Sequence, residues 1–290
     1  MSLAILTKAT ELGLIFAVLS LGEYISFRVM DTPDLTVDGS FATGGCVCAM
    51  FTINGHPILG LIAGFLAGCL CGCITAFLQT KMKIQPLLAG ILTMSGLYSI
   101  NIRIMQGAPN VSLFSSNTLK PVWTLLSNAN TQLFVLIGIV ALVAFLLYIF
   151  FKTNLGLMLR ATGDNEEMIR ASSVNVDSMK FLGLGLSNAI VALSGALLVQ
   201  YQNFADVTSG TGMLVLGLAG IIVGETIFRK HTIASGLLAA VFGAILYRIL
   251  YTIALKLGFA ATDMNLVSAV LVAVTISIPH LKKLRRKNCA

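Results

Sequence analysis

Few residues in this 290-residue chain have the chemistry to act on a substrate. Arg248, Glu225, Glu23 and Asn188 lie inside otherwise apolar runs, where a charged or amide side chain either contacts a polar ligand or pairs with a neighbour. Arg248 would suit a substrate carboxylate, a structural pair with Glu23 or Glu225, or an outward-reaching side chain. Glu225 is spaced to pair with Arg229 one helical turn on. Asp34 and Asp38 stand where they would cap a helix starting near residue 36. Of the six cysteines, Cys69, Cys71 and Cys73 alternate along an apolar run, so a helix would point them in different directions. None makes a C-x-x-C pair, and no histidine sits at metal-ligand spacing from them. The chain has no H-E-x-x-H, G-x-S-x-G or G-x-x-x-x-G-K-[ST] stretch, which leaves no motif for covalent catalysis or for holding nucleotide phosphates. No metal or cofactor of its own is expected.

The chemistry therefore has to be read through the elements that position it. The chain is 57% hydrophobic and 11% charged, against roughly 25% charged in soluble domains. A membrane crossing takes about 20 apolar residues. Candidates fall at 10–29, 36–53, 57–79, 85–105, 131–151, 179–201, 209–228, 232–255 and 264–280, the second short and glycine-rich. We expect an all-α polytopic membrane protein of about nine helices, a single transmembrane domain over 1–290, with the first segment a retained helix. Gly60, Gly64, Gly68 and Gly72 recur every fourth residue and mark a close-packing helix face. The net charge of +7 would suggest nucleic acid in a soluble protein; here its distribution matters more. Most Lys and Arg residues fall in the 80–84, 152–178 and 229–231 connections and in the KKLRRK tail. This asymmetry puts those segments in the cytoplasm, the N-terminus outside and the C-terminus inside, with the tail against anionic lipid and no nucleic-acid partner.

The 152–180 stretch, KTNLGLMLRATGDNEEMIRASSVNVDSMK, is the most polar part of the helical body. Asp164 or Asn165 can cap a helix whose first turn holds Glu166 and Glu167, with Met168, Ile169 and Ala171 as a small apolar face. Two or three turns are too few to stand alone in water. Such a helix is either a solvated connector or a docking element for a cytoplasmic partner.

This loop resembles the cytoplasmic coupling loop of ABC-importer permeases of the branched-chain amino acid, ribose and nucleoside type. Gly156, Arg160, Ala161, Gly163, Asn165, Val174, Asn175, Val176 and Lys180 fit that pattern, and Ser173 replaces its usual glycine. Three further stretches agree in order. DLTVDGSFATGG resembles D-L-S-V-G-S with Asp38 inserted, and KIQPLLAGILTM resembles the family's entry into a span. SGTGMLVLGLAGIIVGETIFRK resembles a glycine-rich segment in which Gly224 is kept and Glu225 and Arg229-Lys230 depart. The DLTVDGSF wording looks most like a subgroup of tryptophan/tyrosine uptake permeases.

The resemblance implies a permease subunit in the cell membrane for a small polar solute, in particular an amino acid. It implies cytoplasmic ATPase subunits that carry the ATP, an extracytoplasmic solute-binding protein, and a second permease chain, identical in a homodimer. Residues Arg160, Ala161, Gly163, Asp164, Asn165, Glu166, Glu167, Met168, Ile169 and Arg170 would form the ATPase contact, with Met168 and Ile169 filling a groove. Arg248, Asn188 and Glu225 would be candidates for the substrate path. The rival is an ion-coupled secondary carrier in which Arg248, Glu225 and Glu23 form a relay.

Overall fold

The computed structural model describes residues 3–113, 129–172, 174–228, 232–256 and 270. Ten helices are seen among these residues. They are α1 (Leu3–Glu23, continuing as a π-helical turn through Tyr24–Val29), α2 (Thr36–Ile53), α3 (Pro57–Thr80), α4 (Pro86–Ile104), α5 (Ala129–Lys152), α6 (Asn154–Asp164), α7 (Glu166–Ala171), α8 (Val176–Gln202), α9 (Met213–Ile227) and α10 (Ile233–Lys256). Two short strands, β1 (Asn110–Ser112) and β2 (Phe204–Asp206), pair antiparallel.

Six helices among the described residues are long and apolar enough to cross a membrane: α1 with its π turn, α3, α4, α5, α8 and α10. Two expected spans differ. The 36–53 segment is a helix of 18 residues but carries Thr, Ser, Asp and Gly along its length. The 209–228 segment yields a helix of only 15 residues, α9. At 1.5 Å per residue that is about 22 Å, short of a hydrocarbon core of about 30 Å. The expected span at 264–280 and the tail lie outside the described residues.

The helix ends follow local rules. Pro57 and Pro86 open α3 and α4, at the first turn where a missing N–H costs nothing. Asn203 takes a left-handed conformation after α8, and Gly212, with φ of 83°, precedes α9.

α1 and α8 form the centre. Ile15, Leu19, Leu21, Leu184, Val191 and Leu197 are buried there. α3 turns Ile58, Ile62, Leu66, Leu70 and Ile74 outward, and α5 turns out Phe134, Leu142, Phe145 and Ile149. In water such rows would be a liability; in a bilayer they match the solvent. The small-residue face of α3 packs inward as expected. A Cβ on Gly64 would lie 3.0 Å from the Gly44 carbonyl oxygen, and Gly68 and Gly72 press on the α8 backbone at Asn188 and Leu184. This backbone-to-backbone seam joins α2, α3 and α8.

The β1–β2 pairing, with Val111 opposite Ala205, brings the chain after α4 and the chain after α8 to the same side. Alternation of the spans requires this, and the positive-inside reading makes it the outer side. The same end of α2 joins this cluster through Cys46 and Ala49, which pack with Met105, Leu113, Ala205 and Val207. From there residues 207–212 run down alongside α2 as far as Asp38, about two to three helical turns deeper. α9 therefore begins inside the bundle, and 207–212 is a partly re-entrant connection.

Candidate functional site

The first site is the cytoplasmic stub between α5 and α8, built by three consecutive caps. Thr153 Oγ1 accepts the Gly156 N–H at 3.3 Å and starts α6. Asn165 Oδ1 accepts the Met168 N–H at 3.0 Å and starts α7. Asn175 Oδ1 accepts the Ser178 N–H at 3.3 Å and starts α8. Each cap satisfies a backbone donor that a helix start leaves open. Of the two expected capping residues for α7, Asn165 is the one used.

α7 is anchored on one side and open on the other. Ile169, 7% exposed, faces inward, so the expected placement of its side chain in a partner's groove does not hold. Glu166 reaches across to Lys180 of α8 at 2.5 Å, with Arg170 at 4.0 Å. Asp164, Glu167, Met168 and Arg170 are exposed, Met168 at 66%. Gly163 packs on the Val29 carbonyl of the π turn, which ties the stub to α1. Arg160 leaves this face and lines a cavity of about 280 Å³ with Tyr24, Arg28, Asp164 and Thr232. Ala161 contributes its carbonyl to the Asn165 N–H at 3.0 Å. Thus Glu167, Met168 and Arg170 share the open surface, Glu166 and Ile169 hold it in place, and Arg160 stands apart.

The second site is the polar interior. Asn188 Nδ2 donates to Asp34 Oδ2 at 2.7 Å and its Oδ1 accepts from Ser40 Oγ at 2.6 Å. Asn188 therefore bridges α8 to the approach to α2 and to its second turn. Ser187 Oγ donates to the Gly22 carbonyl, and Gln200 Nε2 to the Pro57 carbonyl, both at 2.8 Å. Asp34 stands one residue before the Leu35 N-cap position and accepts the N–H of Thr36, the first residue of α2, at 2.9 Å. Asp38 does not cap its own helix. Its carboxylate accepts the Gly212 N–H at 3.0 Å and the Leu214 N–H at 2.8 Å, and so caps α9. No sequence-local signal marks that pairing.

The intramembrane charges also find other partners than those expected. Glu225 pairs with Arg28 of the π turn rather than with Arg248; Arg229 lies outside the described residues. Arg248 lies over the rings of Phe16 at 5.1 Å and Tyr251 at 4.7 Å, with no carboxylate within ion-pair distance among the described residues. Glu23 is 1% exposed, and neither of its oxygens has a hydrogen-bond partner among the described residues. Among the described residues Arg248, Asn188 and Glu225 thus each take partners of their own: aromatic rings, Asp34 with Ser40, and Arg28. Among the described residues no group of three His, Cys, Asp or Glu side chains is placed to hold a metal.

Residues 5–276 match the family described as branched-chain amino acid transport system, permease component. The chain belongs to this permease family. The permease is similar to the tyrosine transport system permease protein of Clostridioides difficile, 38% identical over 95% of this chain and 92% of that one. It is also similar to the ribose import permease protein RbsC of Escherichia coli, 25% identical over 86% of this chain and 78% of that one. Among solved structures, PsaBC from Streptococcus pneumoniae in complex with Fab superposes with a TM-score of 0.52 at 16% identity, covering 93% of this chain and 89% of that one. That likeness concerns the fold alone. The permease is a multi-pass inner-membrane protein of the ABC-transporter type, a transport subunit.

Proposed function

We propose that this chain is the membrane-spanning subunit of an ATP-driven importer for an amino acid. Separate cytoplasmic ATPase subunits bind α7 and carry the ATP, an extracytoplasmic solute-binding protein delivers substrate, and a second copy of the chain completes the path. The observation that carries this reading is α7. It is a capped, pre-formed helix whose outer face is exposed, whose inner face buries Ile169 and which is tied to α8 by Glu166–Lys180. A partner that grips Glu167, Met168 and Arg170 pulls on α8 as well, because Glu166 of α7 is paired with Lys180 of α8. The chain carries no phosphate-binding loop, so hydrolysis falls to the partner. The amino-acid substrate is supported by the similarity to a tyrosine transport permease.

The test is co-purification of the ATPase with the permease carrying Met168→Asp and Arg170→Glu together. Both residues are exposed, so the variant is expected to insert and fold while the ATPase is lost. Full retention of the ATPase would remove α7 as the contact. Uptake in proteoliposomes that runs on an ion gradient without ATP would favour a secondary carrier instead.

A further inference from the structure

α2, α4 and the descending 207–212 connection enclose a cavity of about 80 Å³ at the depth where α9 begins. We propose that this cavity receives the primary ammonium group of the transported amino acid, with Asn101 Oδ1 and the Asp38 carboxylate as its acceptors. The proposal rests on the amino-acid reading above and assigns the polar contact that reading lacks.

Asn101 carries most of the argument. It is 1% exposed, lines the cavity, and its Oδ1 has no hydrogen-bond partner among the described residues. A buried orphan acceptor costs about 1–3 kcal/mol, which a donor entering the cavity would relieve. Asp38 supplies the charge. Its two oxygens are held by the Gly212 and Leu214 N–H groups at the start of α9, and each keeps a further lone pair. The positive end of α9 stabilises that carboxylate as an anion in an apolar setting.

The rest of the lining narrows the ligand. Thr208 Oγ1 donates to Asp206 at 2.7 Å and Thr211 Oγ1 donates to the Thr208 carbonyl at 2.6 Å, so both hydroxyl protons are already committed. Met94, Ala42 and Val207 are apolar, and no Lys, Arg or His is among the described lining residues. The Tyr98 hydroxyl and the Asn101 Nδ2 also offer donors, so charge decides: Asp38 is the one charged side chain among the described lining residues. An ammonium group, cationic and with three donors, meets that charge and the Asn101 acceptor together. A carboxylate would face a like charge, and a sugar hydroxyl would leave it unbalanced. The volume takes a head group and not a whole amino acid, so the remainder of the substrate would lie along half-exposed Tyr98.

The experiment uses the full assembly of permease, ATPase and binding protein in proteoliposomes, with a labelled mixture of the twenty common amino acids and, separately, labelled ribose. Asn101→Leu removes the acceptor at similar volume, and Asn101→Asp keeps it. We expect Asn101→Leu to lower the maximal uptake rate roughly tenfold with little change in KM for the loaded binding protein, while Asn101→Asp stays within roughly threefold of the parent. An unaltered rate in Asn101→Leu overturns the site. An equal loss in both variants also overturns it, since that marks a packing role. Ribose uptake without amino-acid uptake by the parent assembly overturns the amino-acid reading itself, and the ammonium site with it.

Discussion

Gly44 of α2 and Ala192 of α8 meet backbone to backbone, and a Cβ on Gly44 would fall on the Ala192 carbonyl. Ala192 belongs to α8, so the methyl group has no flexible side chain to displace. Gly44→Ala is expected to destabilise the protein by about 1–3 kcal/mol, as overpacking does. Gly96 on α4 has open space around its missing Cβ, and Gly96→Ala should be neutral or stabilising by about 0.5–1 kcal/mol. Thermal unfolding of the two variants in detergent checks the contrast.

Asn188 is expected to be structural before it is anything else. It satisfies Asp34 and Ser40 at once, both buried. Asn188→Leu keeps the volume and leaves both groups without their partner, at about 1–3 kcal/mol for each group orphaned. A large drop in unfolding temperature is the expected outcome. A folded variant of parental stability with altered transport would instead place Asn188 in the path.

The Asn165 cap offers a separate handle on the stub. Asn165→Ala removes the acceptor for the Met168 N–H and should cost about 1 kcal/mol locally. Hydrogen exchange at Met168–Ala171 should rise while the amides of α8 stay protected. Unaltered exchange at Met168 would mean that α7 is held by Ile169 and Lys180 alone.

Two ion pairs should differ in worth. Lys81 and Asp177 face each other at 3.7 Å with both side chains largely open, so Lys81→Ala should change stability by less than about 1 kcal/mol. Glu225 is 9% exposed on its side chain, and Arg28→Ala removes its cation at the base of α9. That variant should be the more destabilising of the two, because it leaves a mostly buried carboxylate behind. Parallel thermal denaturation ranks them.

Much of the architecture is legible in the sequence because hydrophobic runs are local. The expected 57–79, 85–105 and 232–255 spans appear as Pro57–Thr80, Pro86–Ile104 and Ile233–Lys256. The α7 cap is legible too, since Asn165 and its acceptor geometry lie within four residues. The division of the stub into α6 and α7 is less so: one short helix is expected, and Thr153 starts another before it. What escapes sequence reading is partnership at long range. Asp38 is assigned to its own helix by spacing, yet its donors lie 174 and 176 positions away. Glu225 has a basic residue four places on, yet Arg28, 197 positions distant, holds it. Asn101 stands in the sequence only as a polar residue near the end of a span; its significance depends on what fails to meet it in three dimensions.

The backbone seam through α2, α3 and α8 has a mechanical corollary. Helices meshed through carbonyls and glycines have no soft side chains between them to take up strain. Force arriving at Asn175 therefore cannot be dissipated by flexing within that trio. We expect the trio to tilt as one lever, with the give in the connections that flank it.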